Sequence, residues 1–171
     1  MSKIKFTGIM PALVTPLEKN GKIRIAAVNR LVDDQLKAGV DGFYVLGGTG
    51  EGVLLNPEQR KIMAEAVISA NAGRGKVIVH TGSIHGRETL ELTRHATDAG
   101  ADGISSVLPS IYFGYTMEEM TGFYQDMASN TSLPILVYAN HTGSGVDINR
   151  MVEELLKVRQ AQYDRYVNAL N

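Results

Sequence analysis

Short apolar runs alternate with longer segments of helical spacing along this chain. The runs have the length of β-strands and occupy residues 8–14, 42–46, 76–81, 103–107 and 133–138. Segments with apolar residues every three or four positions predict helices at 26–36, 57–72, 87–99 and 117–127. Five strand–helix units in succession predict a parallel sheet whose strands are joined by helical crossovers.

Polar residues mark where several of these helices begin. Asn56 precedes Pro57, which suits an N-cap followed by proline in the first helical position. Thr116 is placed to cap the fourth helix, and Asp147 is placed to cap a last one. From residue 148 to residue 170 nothing breaks a helix, so we expect a long C-terminal helix after the fifth unit.

Two architectures fit this α/β pattern. One is an open, doubly wound parallel sheet, and the other is part of a TIM-type (β/α)8 barrel, whose complete form needs about 250 residues. The length of 171 residues favours the open sheet. A short motif is repeated at residues 38–42 and 99–103. In each copy a glycine ends the predicted helix and Asp-Gly leads into the next strand, as is typical of barrels. We find no linker and expect one domain over residues 1–171.

Composition excludes several classes of protein. Seventeen Lys and Arg residues against eighteen Asp and Glu residues argue against a nucleic-acid or membrane-surface protein. The chain has no cysteine, which excludes disulfides and thiolate metal sites, and its four histidines form no metal-binding pattern. No apolar run reaches the roughly 20 residues that span a bilayer, and the N-terminus has no signal-peptide core. We expect a cytoplasmic protein without membrane, nucleic-acid or metal partners.

Candidate chemistry lies where the predicted strands end. The loop at residues 47–52 is rich in glycine, so its amides can converge on an anion, and Thr49 adds a hydroxyl. A small carboxylate, a dinucleotide phosphate and a plain tight turn are the alternatives for this loop. Tyr138 ends the fifth run, where ligand-facing residues of parallel sheets lie, although packing is the commoner role for a lone tyrosine. Tyr112 lies in an aromatic loop that suits a lid, a subunit contact or packing.

Taken together, these segments resemble the N-acetylneuraminate lyase and dihydrodipicolinate synthase family of pyruvate-dependent class I aldolases. Residues 8–16 resemble the first strand of that family, and residues 47–51 resemble its pyruvate-carboxylate loop. Residues 136–138 resemble its fifth strand with the catalytic tyrosine. The resemblance covers roughly residues 6–158, and we expect residues 159–171 to form a divergent helical end.

The resemblance implies a barrel enzyme that makes or cleaves a carbon–carbon bond next to pyruvate or another 2-oxo acid. In such enzymes a lysine at the end of strand six forms a Schiff base with the ketone, and no cofactor is needed. The Gly48 amide and Thr49 would bind the substrate carboxylate. Tyr138 would relay a proton, and Tyr112 would match the tyrosine that reaches toward a neighbouring subunit.

Several positions depart from the pattern of the family. Gly48 stands where the family has serine or threonine, so one hydroxyl is missing. Gly143 stands near the place of the arginine that follows the tyrosine motif in the synthases, and His141 stands where proline is usual. The sequence is therefore nearer to the lyase-like members that act on 2-oxo sugar acids.

The last thirteen residues, 159–171, show neither a sixth strand nor its lysine. None of the eight lysines lies at the carboxyl end of a predicted strand, so we expect no Schiff-base lysine. The function hypotheses are a Schiff-base lyase that uses another lysine, an inactive barrel fragment with weak carboxylate binding, and a nucleotide-binding open sheet. Five strands cannot close the usual barrel, so we expect self-association through the exposed strand edges. A tail helix that covers one face of the sheet is the alternative.

Overall fold

The computed structural model of this chain describes residues 6–107, 114–138, 150 and 152–157. The helices in these ranges include α1 (Ile25–Lys37), α2 (Pro57–Asn71), α3 (Gly86–Asp98) and α4 (Met117–Ala128). The strands are β1 (Gly42–Val45), β2 (Lys76–His80), β3 (Gly103–Ser106) and β4 (Ile135–Val137). A 3-10 turn occupies Gly52–Leu54, and residues 150 and 152–157 are helical. Tyr112, Asp147 and the divergent end predicted at residues 159–171 lie outside the described residues.

The four strands form one parallel sheet in the order β1-β2-β3-β4. A doubly wound sheet reverses its strand order at the point where the chain crosses to the other side. Here each strand pairs with the next one in sequence, as in a barrel. The prediction of a barrel-type α/β fold is confirmed for the described strands, and the doubly wound alternative is wrong.

The first apolar run, residues 8–14, does not form the predicted strand. It makes a single parallel bridge, between Ala12 and Tyr44. The Leu13 amide donates to the Tyr44 carbonyl, and the Tyr44 amide donates to the Pro11 carbonyl, each over 2.9 Å. Proline has no amide hydrogen and cannot donate to a ladder, which limits pairing along this run. The segment still lies beside β1, so its position is as predicted although its regular structure is not.

Two helices begin in capping boxes at the predicted residues. The Asn56 side chain accepts a hydrogen bond from the Gln59 amide, and the Gln59 side chain accepts one from the Asn56 amide, both over 2.9 Å. Thr116 and Glu119 make the same reciprocal pair at the start of α4. These bonds satisfy amides that a helix leaves unpaired in its first turn, so the ends of α2 and α4 are fixed locally.

The helices pack against one face of the sheet. Successive strand residues point to opposite faces of the sheet. The strand side chains that are buried in the core between sheet and helices include Phe43, Val45, Val77, Val79 and Ile104. The helical side of this core includes Val28, Val32, Met63, Val67 and Met127. Alternate strand residues, among them Tyr44, Ile78 and His80, face a cavity on the other side. Because the four strands are parallel, their carboxyl ends all lie at the same end of the sheet.

Candidate functional site

The glycine-rich loop after β1 folds back over the backbone of Leu46. Leu46 has a φ of 66°, a left-handed conformation that is strained for a bulky residue and that turns the chain out of the strand. A Cβ at Gly52 would overlap the Leu46 carbonyl oxygen, and one at Gly50 would lie 2.9 Å from the Leu46 nitrogen. The Thr15 hydroxyl donates to the Gly50 carbonyl over 2.6 Å. Close approach of the backbone, and not flexibility, therefore explains the glycines at 50 and 52.

The same loop presents amide donors at its tip. The carbonyls of Gly47 and Gly48 accept hydrogen bonds from the amides of Gly52 and Glu51, which closes the turn. Within the described residues, the amides of Gly48 and Thr49 donate to no protein acceptor. Both residues are exposed, and a Cβ at Gly48 would meet nothing within 4 Å. The two unpaired amides and the Thr49 hydroxyl are donors of the kind that can bind a small anion.

A cavity of about 500 Å³ joins this loop to the ends of the strands. Its lining includes Gly48, Thr49 and Tyr138, so the structure brings together three of the four site residues predicted from the sequence. The fourth, Tyr112, lies outside the described residues.

Tyr138 immediately follows β4 and is half exposed. Its amide donates to the Ser106 carbonyl over 3.0 Å, which continues the ladder between β3 and β4 by one residue. The hydroxyl of buried Tyr124, on α4, donates to the same carbonyl over 2.8 Å. Burial raises the pKa of Tyr124, so its phenol remains a donor at neutral pH. The backbone of Tyr138 is therefore held in register, while its ring reaches the cavity.

His80, the last residue of β2, lines the cavity but was not among the predicted site residues. It is 4% exposed, and its Nε2 accepts a hydrogen bond from the Val107 amide over 3.2 Å. Burial, with a smaller contribution from the positive charge of Arg60, lowers the pKa of His80 to about 4. The ring is thus neutral at pH 7 with its proton on Nδ1, which has no hydrogen-bond partner among the described residues.

Arg60 reaches from α2 to the end of β2. Its side chain is 2% exposed, and its Nη2 donates to the His80 carbonyl over 2.9 Å. Its Nη1 lies 3.7 Å from a carboxylate oxygen of Glu88 on α3. Burial lowers the pKa of Arg60 to about 10, against the opposing effect of Glu88, so the guanidinium is still charged at neutral pH. Arg60 therefore ties two helices to the strand end that carries His80.

Tyr44 is a second site residue that the sequence pattern did not single out. It belongs to β1, and its ring centroid lies 6.3 Å from that of Tyr138 and 6.4 Å from that of His80. The available signal was the period-2 alternation of β1, which puts Phe43 and Val45 on the helix side and Tyr44 on the other. Alternation predicts the face, but it does not show that this face is a cavity.

The described part of the cavity wall contains no lysine. Lys61 and Lys76 form ion pairs elsewhere, each over 2.6 Å, with Glu91 and Asp102 respectively. Among the residues described, no group of three or more histidine, aspartate or glutamate side chains could hold a metal ion. The described helices include none long and apolar enough to cross a membrane.

The sequence of this chain is similar to those of known proteins. Residues 5–161 match the dihydrodipicolinate synthetase family. N-acetylneuraminate lyase of Rhizobium meliloti is 36% identical over 135 residues, which cover 79% of this chain and 45% of the relative. The enzyme of the same name from Mus musculus is 34% identical over 159 residues, or 90% of this chain and 48% of the relative. The chain thus spans about half the length of the curated relatives it matches.

Solved structures of similar proteins share the fold of this chain. YagE from Escherichia coli K12, crystallised in complex with pyruvate, superposes with a TM-score of 0.83 at 34% identity, over 90% of this chain and 51% of YagE. N-acetylneuraminate lyase from Proteus mirabilis superposes with a TM-score of 0.85 at 28% identity, over 91% of this chain and 53% of the lyase. With its sequential parallel strands and the loop at their carboxyl ends, the chain belongs to the dihydrodipicolinate synthetase family, of whose barrel it contains a part.

Proposed function

We propose that the cavity binds a short 2-oxo acid of the pyruvate type. The carboxylate would accept hydrogen bonds from the Gly48 and Thr49 amides and the Thr49 hydroxyl, and the ketone would lie toward Tyr138. The observation that carries this proposal is that Gly48 and Thr49, whose amides have no acceptor among the described residues, line the same cavity as Tyr138. The complex of the similar YagE protein with pyruvate supports the choice of ligand.

The affinity should be modest. A hydrogen bond to a charged group contributes about 1.5–3 kcal/mol, but association and ordering of the ligand subtract from the sum. No arginine or lysine among the described residues lines the cavity to add a full charge. We expect a Kd on the order of 1 mM for pyruvate.

A titration of the full chain with pyruvate, followed by NMR chemical shifts, tests this proposal. Methyl pyruvate keeps the ketone but lacks the carboxylate charge, so it should bind more weakly. Thr49→Val should weaken pyruvate binding, whereas Thr7→Val, at an exposed position outside the cavity lining, should not. Equal affinities for pyruvate and methyl pyruvate in these titrations would contradict carboxylate recognition.

The chemical step separates binding from lyase activity. In a class I aldolase the amine of a lysine attacks the ketone carbon, and loss of water gives a Schiff base that borohydride reduces to a stable secondary amine. The lysine-free wall of the described cavity favours reversible binding without this step. Borohydride treatment with pyruvate should therefore leave the intact mass unchanged. A pyruvyl adduct on one lysine would instead support the alternative, a Schiff-base lyase of the N-acetylneuraminate lyase type.

Self-association is a second property that the fold favours. In the described sheet, β4 pairs with β3 on one side only, and an edge strand with unpaired backbone groups invites pairing with another chain. Ile9 and Val14, beside β1, are also more than half exposed. We infer that two copies associate through these edges. Sedimentation should show an average mass that rises with concentration, and a monomer at every concentration would contradict the inference.

A further inference from the structure

The hydroxyl of Tyr44 has its only proton committed inside the protein. It donates to the Ser105 Oγ over 2.9 Å, and the Ser105 hydroxyl donates in turn to the Leu136 carbonyl over 3.2 Å. A hydroxyl carries one proton and two acceptor lone pairs. The phenolic oxygen of Tyr44 can therefore act toward the cavity as an acceptor and not as a donor.

The Tyr44 ring is held on several sides. A Cβ at Gly47 would lie 2.5 Å from its Cε1, so the ring lies directly against the loop backbone. The rings of His80 and Tyr138 flank it at interplanar angles of 51° and 35°. Burial raises the pKa of Tyr44, which keeps its phenol protonated at neutral pH. An acceptor whose position is fixed before the ligand arrives loses little freedom on binding.

The cavity has room for more than pyruvate. Its volume of about 500 Å³ lies within the range of sites for ligands far larger than a three-carbon acid. With the carboxylate on the loop, the additional part of a longer ligand would extend along the wall that contains Tyr44. An acceptor on this wall matches a hydroxyl group, which can donate, and gives no advantage to a methyl group.

We propose that Tyr44, oriented by Ser105, is a specificity-determining acceptor that receives a hydrogen bond from a hydroxyl group of the ligand. The site then prefers hydroxylated 2-oxo acids to the unsubstituted acids of the same length. This inference rests on the proposed binding of 2-oxo acids and assigns to that site a residue outside the carboxylate loop.

Two matched ligand pairs test the inference on the full chain. They are pyruvate with hydroxypyruvate, and 2-oxobutanoate with 4-hydroxy-2-oxobutanoate. One neutral hydrogen bond should favour the hydroxylated acid by about fivefold in Kd in at least one pair. Tyr44→Phe should abolish that preference, so that the ratio of the two Kd values in the pair falls to about one. Tyr115→Phe removes the hydroxyl of a tyrosine outside the cavity lining, so it should keep the preference.

The outcomes separate this inference from the function on which it rests. If the unsubstituted acids bind and neither pair shows a preference in the wild type, the role of Tyr44 is overturned while the 2-oxo acid site stands. A preference that survives in Tyr44→Phe also overturns it. If none of the four acids binds, the proposed function itself is overturned. Since the first comparison uses only the wild type, the test does not depend on the folding of any variant.

Discussion

The guanidinium of Arg60 and the main-chain carbonyl of His80 are joined by a 2.9 Å hydrogen bond inside the protein. The bond links the first turn of α2 to the last residue of β2. Glu88, 22% exposed, supplies the opposite charge from α3. One side chain thus connects two helices with the strand end that lines the cavity.

Replacement of Arg60 by methionine should lower the free energy of unfolding by about 2–3 kcal/mol. The change leaves the His80 carbonyl without its donor in a buried place, and such losses have this magnitude. Urea denaturation at pH 7 measures it. Glu88→Gln keeps Arg60 in place at a partly exposed position, so it should cost less. A loss in Glu88→Gln as large as in Arg60→Met would contradict the leading role of the carbonyl contact.

Acid should weaken the fold through His80. Its pKa is lowered from 6.5 to about 4 in the folded protein, so the unfolded chain binds a proton more readily between these values. The contribution of neutral His80 to the free energy of unfolding is fully present above pH 6.5. It is lost as the pH falls toward 4, by roughly 3 kcal/mol in all. Unfolding free energies at pH 7, 5.5 and 4.5 test the slope.

Two substitutions separate His80 from other acid-sensitive groups. His80→Asn carries no titrating ring, so its stability should change less over this pH range. The exposed His85 provides the matched control, and His85→Asn should keep the wild-type slope. An equal slope in His80→Asn and the wild type would contradict the assignment.

The two ends of the glycine-rich loop should respond differently to an added side chain. Gly48 has open space where a Cβ would lie, so Gly48→Ser should fold normally. The new hydroxyl should tighten pyruvate binding by about tenfold, as one added hydrogen bond to a carboxylate would. At Gly52 the Cβ would overlap the Leu46 carbonyl, so Gly52→Ala should destabilise the chain and weaken binding. NMR titration together with thermal unfolding compares the two.

The capping boxes should contribute measurable stability. Asn56→Ala and Thr116→Ala each remove a side chain that accepts from an amide in the first helical turn. Each should cost about 1 kcal/mol, which corresponds to a fall in Tm of about 2–4 °C for a chain of this size. Differential scanning calorimetry measures the shift. Asn56→Ser keeps a capping oxygen and should recover most of the loss.

Local patterns predicted the helices and their caps because those signals lie within a few residues of one another. Asn56 with Gln59 and Thr116 with Glu119 need no distant contact. The first apolar run was predicted less well, since its spacing gives no measure of how much of the segment pairs with β1 around Pro11. The barrel order of the strands followed from the family motifs and could not be derived from spacing, which allowed two topologies.

The residues of the candidate site also divide into those that the sequence pattern indicates and those that only the fold brings together. Gly48, Thr49 and Tyr138 were predicted because a glycine-rich loop and a strand end are visible in the sequence, and the motif resemblance added their roles. Tyr44 and His80 were not predicted to line the cavity, since each stands in an apolar run whose pattern indicates packing. Their hydrogen-bond partners lie far along the chain, 61 residues away for Ser105 and 27 for Val107. Only the folded arrangement reveals such pairs.

The sequential order of the strands also bears on how the chain acquires its shape. Each new strand–helix unit docks on the unit made just before it, so most pairings close loops of similar, moderate length. The entropy cost of closing a loop grows with its length. Since each strand pairs with the next one in sequence, the early strands can pair before the later part of the chain is made. We expect the fold to advance from β1 toward β4 as the ribosome delivers the chain, with the earliest amide protection from hydrogen exchange in β1 and β2.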